Sequence, residues 1–194
     1  MASDKIDVPN VMTPKFRVSF PNVFRPGKPV DPTKAGKYSV TMLFDKDANL
    51  EPLKKAMVDF MTKKFGGNQA SWPKLSRNPF RDQGEKTFEG YVAGAKFINA
   101  TSNTKPGLVD AQNNDIINEA DFYPGCYARA TVRPFWYDTA GNKGVAFGLQ
   151  NIQKLADGEP LGGRVSASKE FEPVAPANGG GSADTAKTAA DLFG

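Results

Sequence analysis

The chain of 194 residues contains no histidine and one cysteine, Cys126. Without histidine there is no Ser-His-Asp or Cys-His nucleophile activation, no His-ligated zinc and no imidazole acid–base chemistry. A single cysteine forms no intramolecular disulfide and builds no Cys-rich zinc or iron–sulfur site, which fits a reducing compartment. Long apolar runs are also missing. Val40–Phe44 is five residues, against the roughly 20 needed to span a bilayer, so no membrane association is expected. The N-terminus lacks the charged-then-apolar pattern of a signal peptide, and the expected location is the cytoplasm.

The formal charge is +4, unevenly spread. From Glu172 onward three acids (Glu172, Asp184, Asp191) face one base, Lys187, so the preceding body is the basic part. A basic body suits an anionic partner such as nucleic acid.

Periodicity divides the body into strands and one helix. Residues 1–13 read as a polar arm. Phe16, Val18 and Phe20 alternate with Lys15, Arg17 and Ser19, as in a half-buried strand. Tyr38, Val40, Met42 and Phe44 repeat the pattern after a Pro- and Gly-rich loop. Leu50, Leu53, Met57, Phe60, Met61 and Phe65 mark an amphipathic helix over 49–65, capped by Asp47 or Asn49 and stopped by Gly66-Gly67. Residues 66–86 have no clean period. Strand character is expected over Thr87–Ala100, near Leu108-Val109, over Gly125–Tyr137, and over Lys143–Leu155, the last two joined as a hairpin. The expected fold is all-β with one helix between the second and third strands. A five-stranded oligonucleotide-binding (OB) barrel is the leading form, ahead of a β-sandwich with one helix. Residues 1–165 form this domain, and 166–194 form an Ala/Gly/Ser-rich flexible tail.

Three groups of residues suit single-stranded nucleic acid, in which bases stack on rings and cations hold phosphates. On Gly125–Tyr137, the small apolar set Cys126, Ala128, Ala130 and Val132 points inward. Tyr127, Arg129, Arg133, Phe135 and Tyr137 point outward, and Trp136 faces the core. The 66–86 loop offers Trp72, Lys74, Arg77, Phe80 and Arg81. The first two strands offer Lys15, Arg17 and Lys37. The DNA-contacting set read from this pattern is Arg17, Lys37, Trp72, Arg77, Phe80, Tyr127, Arg129, Arg133, Phe135 and Tyr137. The carboxylates Asp110, Asp115, Glu119 and Asp121 match no calcium or two-metal spacing, so no metal or cofactor is expected. The tip Asp191-Leu192-Phe193 is a candidate contact for partner proteins. Other classes consistent with the residues are a structural or assembly protein, an RNA-binding barrel and a metal-dependent nuclease using the 110–121 carboxylates.

Three blocks carry a family likeness. Thr13-Pro14-Lys15-Phe16-Arg17-Val18-Ser19-Phe20-Pro21-Asn22-Val23-Phe24, Lys37–Phe44 and Gly148–Gly163 resemble the single-stranded-DNA-binding proteins of tailed bacteriophages, related to podophage helix-destabilising proteins. The resemblance covers about residues 13–163. It implies an OB fold, sequence-tolerant binding of single-stranded DNA in phage replication, recombination or repair, no enzymatic activity, and a location in the cytoplasm of an infected bacterial host. It also implies a tail that contacts replication proteins. Tails of that family are strongly acidic and end in an aromatic residue, whereas this one ends Phe193-Gly194.

Overall fold

The structure, a computed structural model, describes residues 6–162 apart from positions 30 and 140. The 166–194 segment, with Asp191, Leu192 and Phe193, lies outside the described residues.

In chain order the elements are β1 (Val11–Met12), β2 (Phe16–Asn22), β3 (Tyr38–Leu43), α1 (Glu51–Phe65), β4 (Arg81–Asp82), β5 (Lys96–Ser102), β6 (Gly107–Val109), β7 (Tyr127–Thr139) and β8 (Asn142–Ala156). The fold is mostly β with one helix. All eight strands join one sheet, more than the five or six expected. Five of them pair in a closed circuit: β2 with β3, β3 with β5, β5 with β8, β8 with β7, and β7 with β2. Each pairing is antiparallel except β5–β8. The helix lies between the second and third strands of this circuit, as expected.

The inward residues are those the period-two reading selects. Phe16, Val18, Val40, Met42, Ala128, Ala130 and Val132 are buried in one cluster with Ile98, Ala100, Phe147, Leu149 and Ile152. Each large apolar side chain removed from water stabilises the fold by about 1.5–3 kcal/mol before entropy is counted. Helix α1 serves two clusters. Leu53 joins the first, while Phe60 and Met61 join a second with Val8 and Val145. The N-cap position falls to Leu50, which offers no side-chain cap, in place of the expected Asp47 or Asn49; Asn49 Oδ1, one residue ahead, accepts from Glu51 N at 3.1 Å, and Gly66 at φ +87° ends the helix.

Four further expectations change. The arm before Pro14 is part of the fold: Val8 is buried and Val11–Met12 pair with β7. The ring of Phe20 points outward, 53 % exposed. Pro21 supplies no N–H to the ladder, the register slips between Ser19 and Asn22, and Phe20 sits at φ +44°. That left-handed backbone costs about 1–2 kcal/mol for a residue with a Cβ. Ser19 keeps to the outer face but is buried there, since Tyr91 lies on it. Residues 87–95 are not strand; Gly90 and Gly94 take φ +80° and +85°, and pairing begins only at Lys96.

Candidate nucleic-acid interface

The outer face of the circuit is floored by short side chains. Register aligns one row across all five strands: Asn22 with Ser39, Ser39 with Thr101, Thr101 with Gly148, and Gly148 with Arg133. The neighbouring row pairs Ser19 with Thr41 and Thr41 with Asn99, and Phe135 stands opposite Ala146. Thr41 Oγ1 donates to Asn99 Oδ1 at 2.8 Å, and Asn22 Nδ2 donates to Ser39 Oγ at 3.1 Å. The floor's own hydrogen bonds hold these side chains flat.

Two clefts open on this floor. One is lined by Lys28, Lys34 and Lys37 with Asn22, Ser39 and Thr101. The other is lined by Arg77 and Arg81 with Asn99, Tyr137 and Ala146. Asn99 and Thr101 are two residues apart on one face of β5, so the clefts are the two ends of one trough. Its walls carry rings. On the β8 side, Tyr137 lies over Gly144, where a Cβ would come within 2.8 Å of the phenolic oxygen. On the β2 side, Phe20 meets Phe88 edge-on at 5.1 Å, Phe88 meets Tyr91 at 5.5 Å, and Tyr91 meets the buried Phe97 at 6.0 Å. Arg81 lies 4.9 Å over Phe97 and pairs with Glu85.

The ten residues read from sequence do not form one wall. Lys37, Arg77, Phe135 and Tyr137 belong to the trough. Tyr127 and Arg17 line a separate cleft beside Val92 and Lys46. Lys15 Nζ lies 5.1 Å from the Tyr127 ring centroid, and the Arg17 guanidinium donates to Gly125 O and, at 2.6 Å, to Glu159 O. Arg129 donates through Nε to Gln153 Oε1, and Arg133 through Nε to Asn10 Oδ1. β7 is long enough that its outer face turns around the sheet, which separates Tyr127 and Arg129 from Phe135 and Tyr137. Two loop rings pack inward. Trp72 donates Nε1–H to Gly66 O at 2.8 Å and packs on the second cluster. Phe80 stands edge-on to Phe147 at 5.8 Å. Trp136 packs against Phe65 in the second cluster, as its place in the alternation implies.

Charge favours anions here. Among the described residues, Arg17, Lys37, Arg77, Arg129 and Arg133 have no carboxylate partner, whereas Lys34 pairs with Asp31 and Arg81 with Glu85 beside the clefts. Partners such as a backbone carbonyl or a side-chain amide leave the full positive charge in place. Two of the acids of 110–121 have structural work. Asp110 accepts from Gln112 N, Asn114 N and Asn114 Nδ2, which holds its carboxyl below the usual value, the Asn114 side chain contributing most. Glu119 pairs with Arg25 at 2.9 Å. Among the described residues no three acidic or thiol side chains converge.

Sequence reasoning missed the floor and the Phe20/Phe88 wall. Ser39, Thr41, Asn99 and Thr101 carry no compositional signal, and only register assembles them. Phe88 sits in Thr87–Ala95, where the expected strand does not form.

A trough floored by short side chains and lined by rings and cations thus crosses a mostly β protein with one helix. The chain belongs to the family described as Enterobacter phage Enc34, ssDNA-binding protein, whose model matches residues 9–181. It is 30 % identical over 171 residues to putative protein p50 of Acyrthosiphon pisum secondary endosymbiont phage 1, covering 83 % of this chain and 91 % of that protein. The single-stranded DNA-binding protein from bacteriophage Enc34, solved in complex with ssDNA, has a similar fold: TM-score 0.64 at 20 % identity, over 79 % of this chain and 89 % of that one. So does gp2.5, a single-stranded DNA-binding protein encoded by bacteriophage T7, with TM-score 0.54 at 15 % identity, over 90 % and 98 % of the two chains.

Proposed function

We propose that the protein binds single-stranded DNA without sequence preference, through the trough across β3, β5 and β8, and serves phage DNA replication, recombination or repair in the host cytoplasm. The single observation carrying this is the trough itself. Its floor lets a backbone approach, its walls offer rings, and Lys37 and Arg77 stand at its two ends. Family membership supports the same reading. The closed five-strand circuit supports an OB-type barrel, with binding on its second and third strands and adjoining loops. Stacking contributes about 1–3 kcal/mol per base without regard to sequence, and phosphate contacts add a salt-dependent share. Preferential affinity for single strands then shifts the duplex equilibrium by mass action, with no bond chemistry. Lys37, Arg77, Phe135 and Tyr137 contact DNA in the trough, while Arg17, Arg129 and Arg133 contribute the surrounding positive field and Tyr127 offers a ring beside Arg17. Trp72 and Phe80 support the loop from beneath. Asp191-Leu192-Phe193 is the contact for replication proteins.

The test is anisotropy of fluorescein-labelled oligothymidylate, because both tryptophans pack beside α1 and report the trough poorly. Tight binding that salt reverses is expected, with duplex of the same length bound more weakly. Equal affinity for duplex, or binding indifferent to salt, overturns the reading. Matched RNA and DNA oligomers distinguish an RNA-binding protein.

A further inference from the structure

We infer that Phe20 and Phe88 form a base-stacking step on the β2 wall of the trough, taking one or two unpaired nucleobases; this rests on the trough being the DNA site. Two observations point to it independently. The first is exposure. Phe20 is 53 % and Phe88 48 % exposed, and they touch each other, so a contiguous apolar patch faces solvent. The second is backbone strain. Phe20 holds φ +44° at the bulge, a conformation that aromatic residues rarely adopt and that persists where the surroundings over-determine it. The bulge also sets Phe20 between the Ser19–Thr41 and Asn22–Ser39 pairs, at the edge of the floor.

The step is built rigidly. Behind Phe88 the rings of Tyr91 and Phe97 continue inward to full burial. The loop carrying Phe88 is tied at both ends to Asp82, whose Oδ1 accepts from Gly84 N at 2.8 Å and from Gly94 N at 3.0 Å. Gln83 Oε1 accepts from Val92 N. A ring held in place before the ligand arrives loses little freedom on binding. A nucleobase fits the patch better than a protein side chain does, because Lys28 and Lys37 line the adjoining cleft and match a phosphate backbone leaving the step.

The experiment uses the full chain with Phe20→Gly, Phe88→Ala, the pair together, and Phe88→Tyr, each titrated with fluorescein-labelled dT20 and with a twenty-unit abasic oligomer. Glycine accepts a positive φ, so Phe20→Gly removes the ring and the strain together and leaves a folded protein. The double variant is expected to lose about tenfold or more in affinity for dT20. Its affinity for the abasic oligomer and its salt slope stay as in the parent, and Phe88→Tyr retains binding. A dT20 oligomer carrying 5-iodouracil is expected to crosslink at Phe20 or Phe88. Unchanged dT20 affinity in the double variant, or equal losses for both oligomers, overturns the step while leaving the trough reading standing. If the parent fails to bind dT20, both fall. If the double variant instead turns a sedimenting dimer into a monomer, the patch is a contact between copies and the step is overturned.

Discussion

Thr41 Oγ1 donates to Asn99 Oδ1 at 2.8 Å across β3 and β5, at the middle of the trough floor. The two side chains satisfy each other and lie low, so a polynucleotide backbone passes over them without displacing anything large. Thr101, next on β5, pairs with Ser39 on one side and Gly148 on the other. Thr101→Glu sets a carboxylate where phosphates are expected to run. A like charge a few ångströms away in a surface environment costs about 1 kcal/mol or more. Affinity for oligothymidylate at low salt is expected to fall at least about fivefold, whereas Thr101→Val binds as the parent does. Anisotropy titration of the two variants checks this.

The basic residues separate by role. Lys37 and Arg77 have no carboxylate partner among the described residues and line opposite ends of the trough. Each phosphate contact adds about 0.7 to the slope of log affinity against log salt on a single strand. Lys37→Ala with Arg77→Ala is expected to lower that slope by about 1.4 and leave the melting temperature unchanged. Arg17 differs, because its guanidinium ties Gly125 O and Glu159 O, anchoring the chain after β8 against the start of β7. Arg17→Ala is expected to lower stability by about 1–2 kcal/mol, a few degrees in melting temperature, with a smaller change in salt slope. Titration and thermal melts on the same three variants separate the roles.

Much of the scaffold was legible because burial on a strand has a period of two. Ala128, Ala130 and Val132 could point only one way, and Trp136 only the other way from Tyr137. Phe20 breaks the reading because Pro21 interrupts the ladder. Phe16, Val18 and Phe20 alternate in sequence, but the chain does not stay extended long enough to keep them on one face. Thr87–Ala95 has strand-like composition, yet its glycines adopt left-handed backbone and its rings serve the surface. Trp72 and Phe80 looked like loop contacts because sequence does not show that Gly66 O and Phe147 lie within reach. The trough floor is the least legible part. Its members come from β3, β5 and β8, and their alignment is a fact of long-range register.

Gln83 is buried with its amide fully used. Its Nε2 donates to Phe44 O and Lys96 O at 2.8 Å each, and its Oε1 accepts from Val92 N at 2.9 Å. Lys96 O has a second donor in Phe44 N, so Gln83→Leu orphans chiefly Phe44 O and Val92 N. An unsatisfied buried backbone group costs about 1–3 kcal/mol. The variant is expected to lose about 2–5 kcal/mol, read as a melting temperature lower by roughly 5–15 °C. Gln83→Glu presents no amide donor and is expected to fall in the same direction. Denaturant unfolding checks both.

Asp82 makes the loop that carries Phe88 sensitive to acid. Its carboxylate accepts from Gly94 N, then Gly84 N, and pairs with Lys96 at 3.1 Å. These contacts, Gly94 first, hold its carboxyl below the usual value of 3.8. A group whose folded pKa is depressed contributes stability above its unfolded pKa, and that contribution is lost as pH falls through the folded value. The contribution is therefore whole at neutral pH, declines from about pH 4 downward, and is gone in stronger acid. Asp82→Asn removes the titrating group, so its stability is expected to be lower than the parent's at pH 7, with the gap closing below about pH 4. Amide hydrogen exchange of Gly84 and Gly94 across that range is expected to speed up in the parent as the carboxyl protonates, and to be fast and nearly flat, after correction for intrinsic rates, in Asp82→Asn. A gap in stability that widens in acid, or amide protection that is the same in both proteins at neutral pH, contradicts the role assigned to this carboxylate.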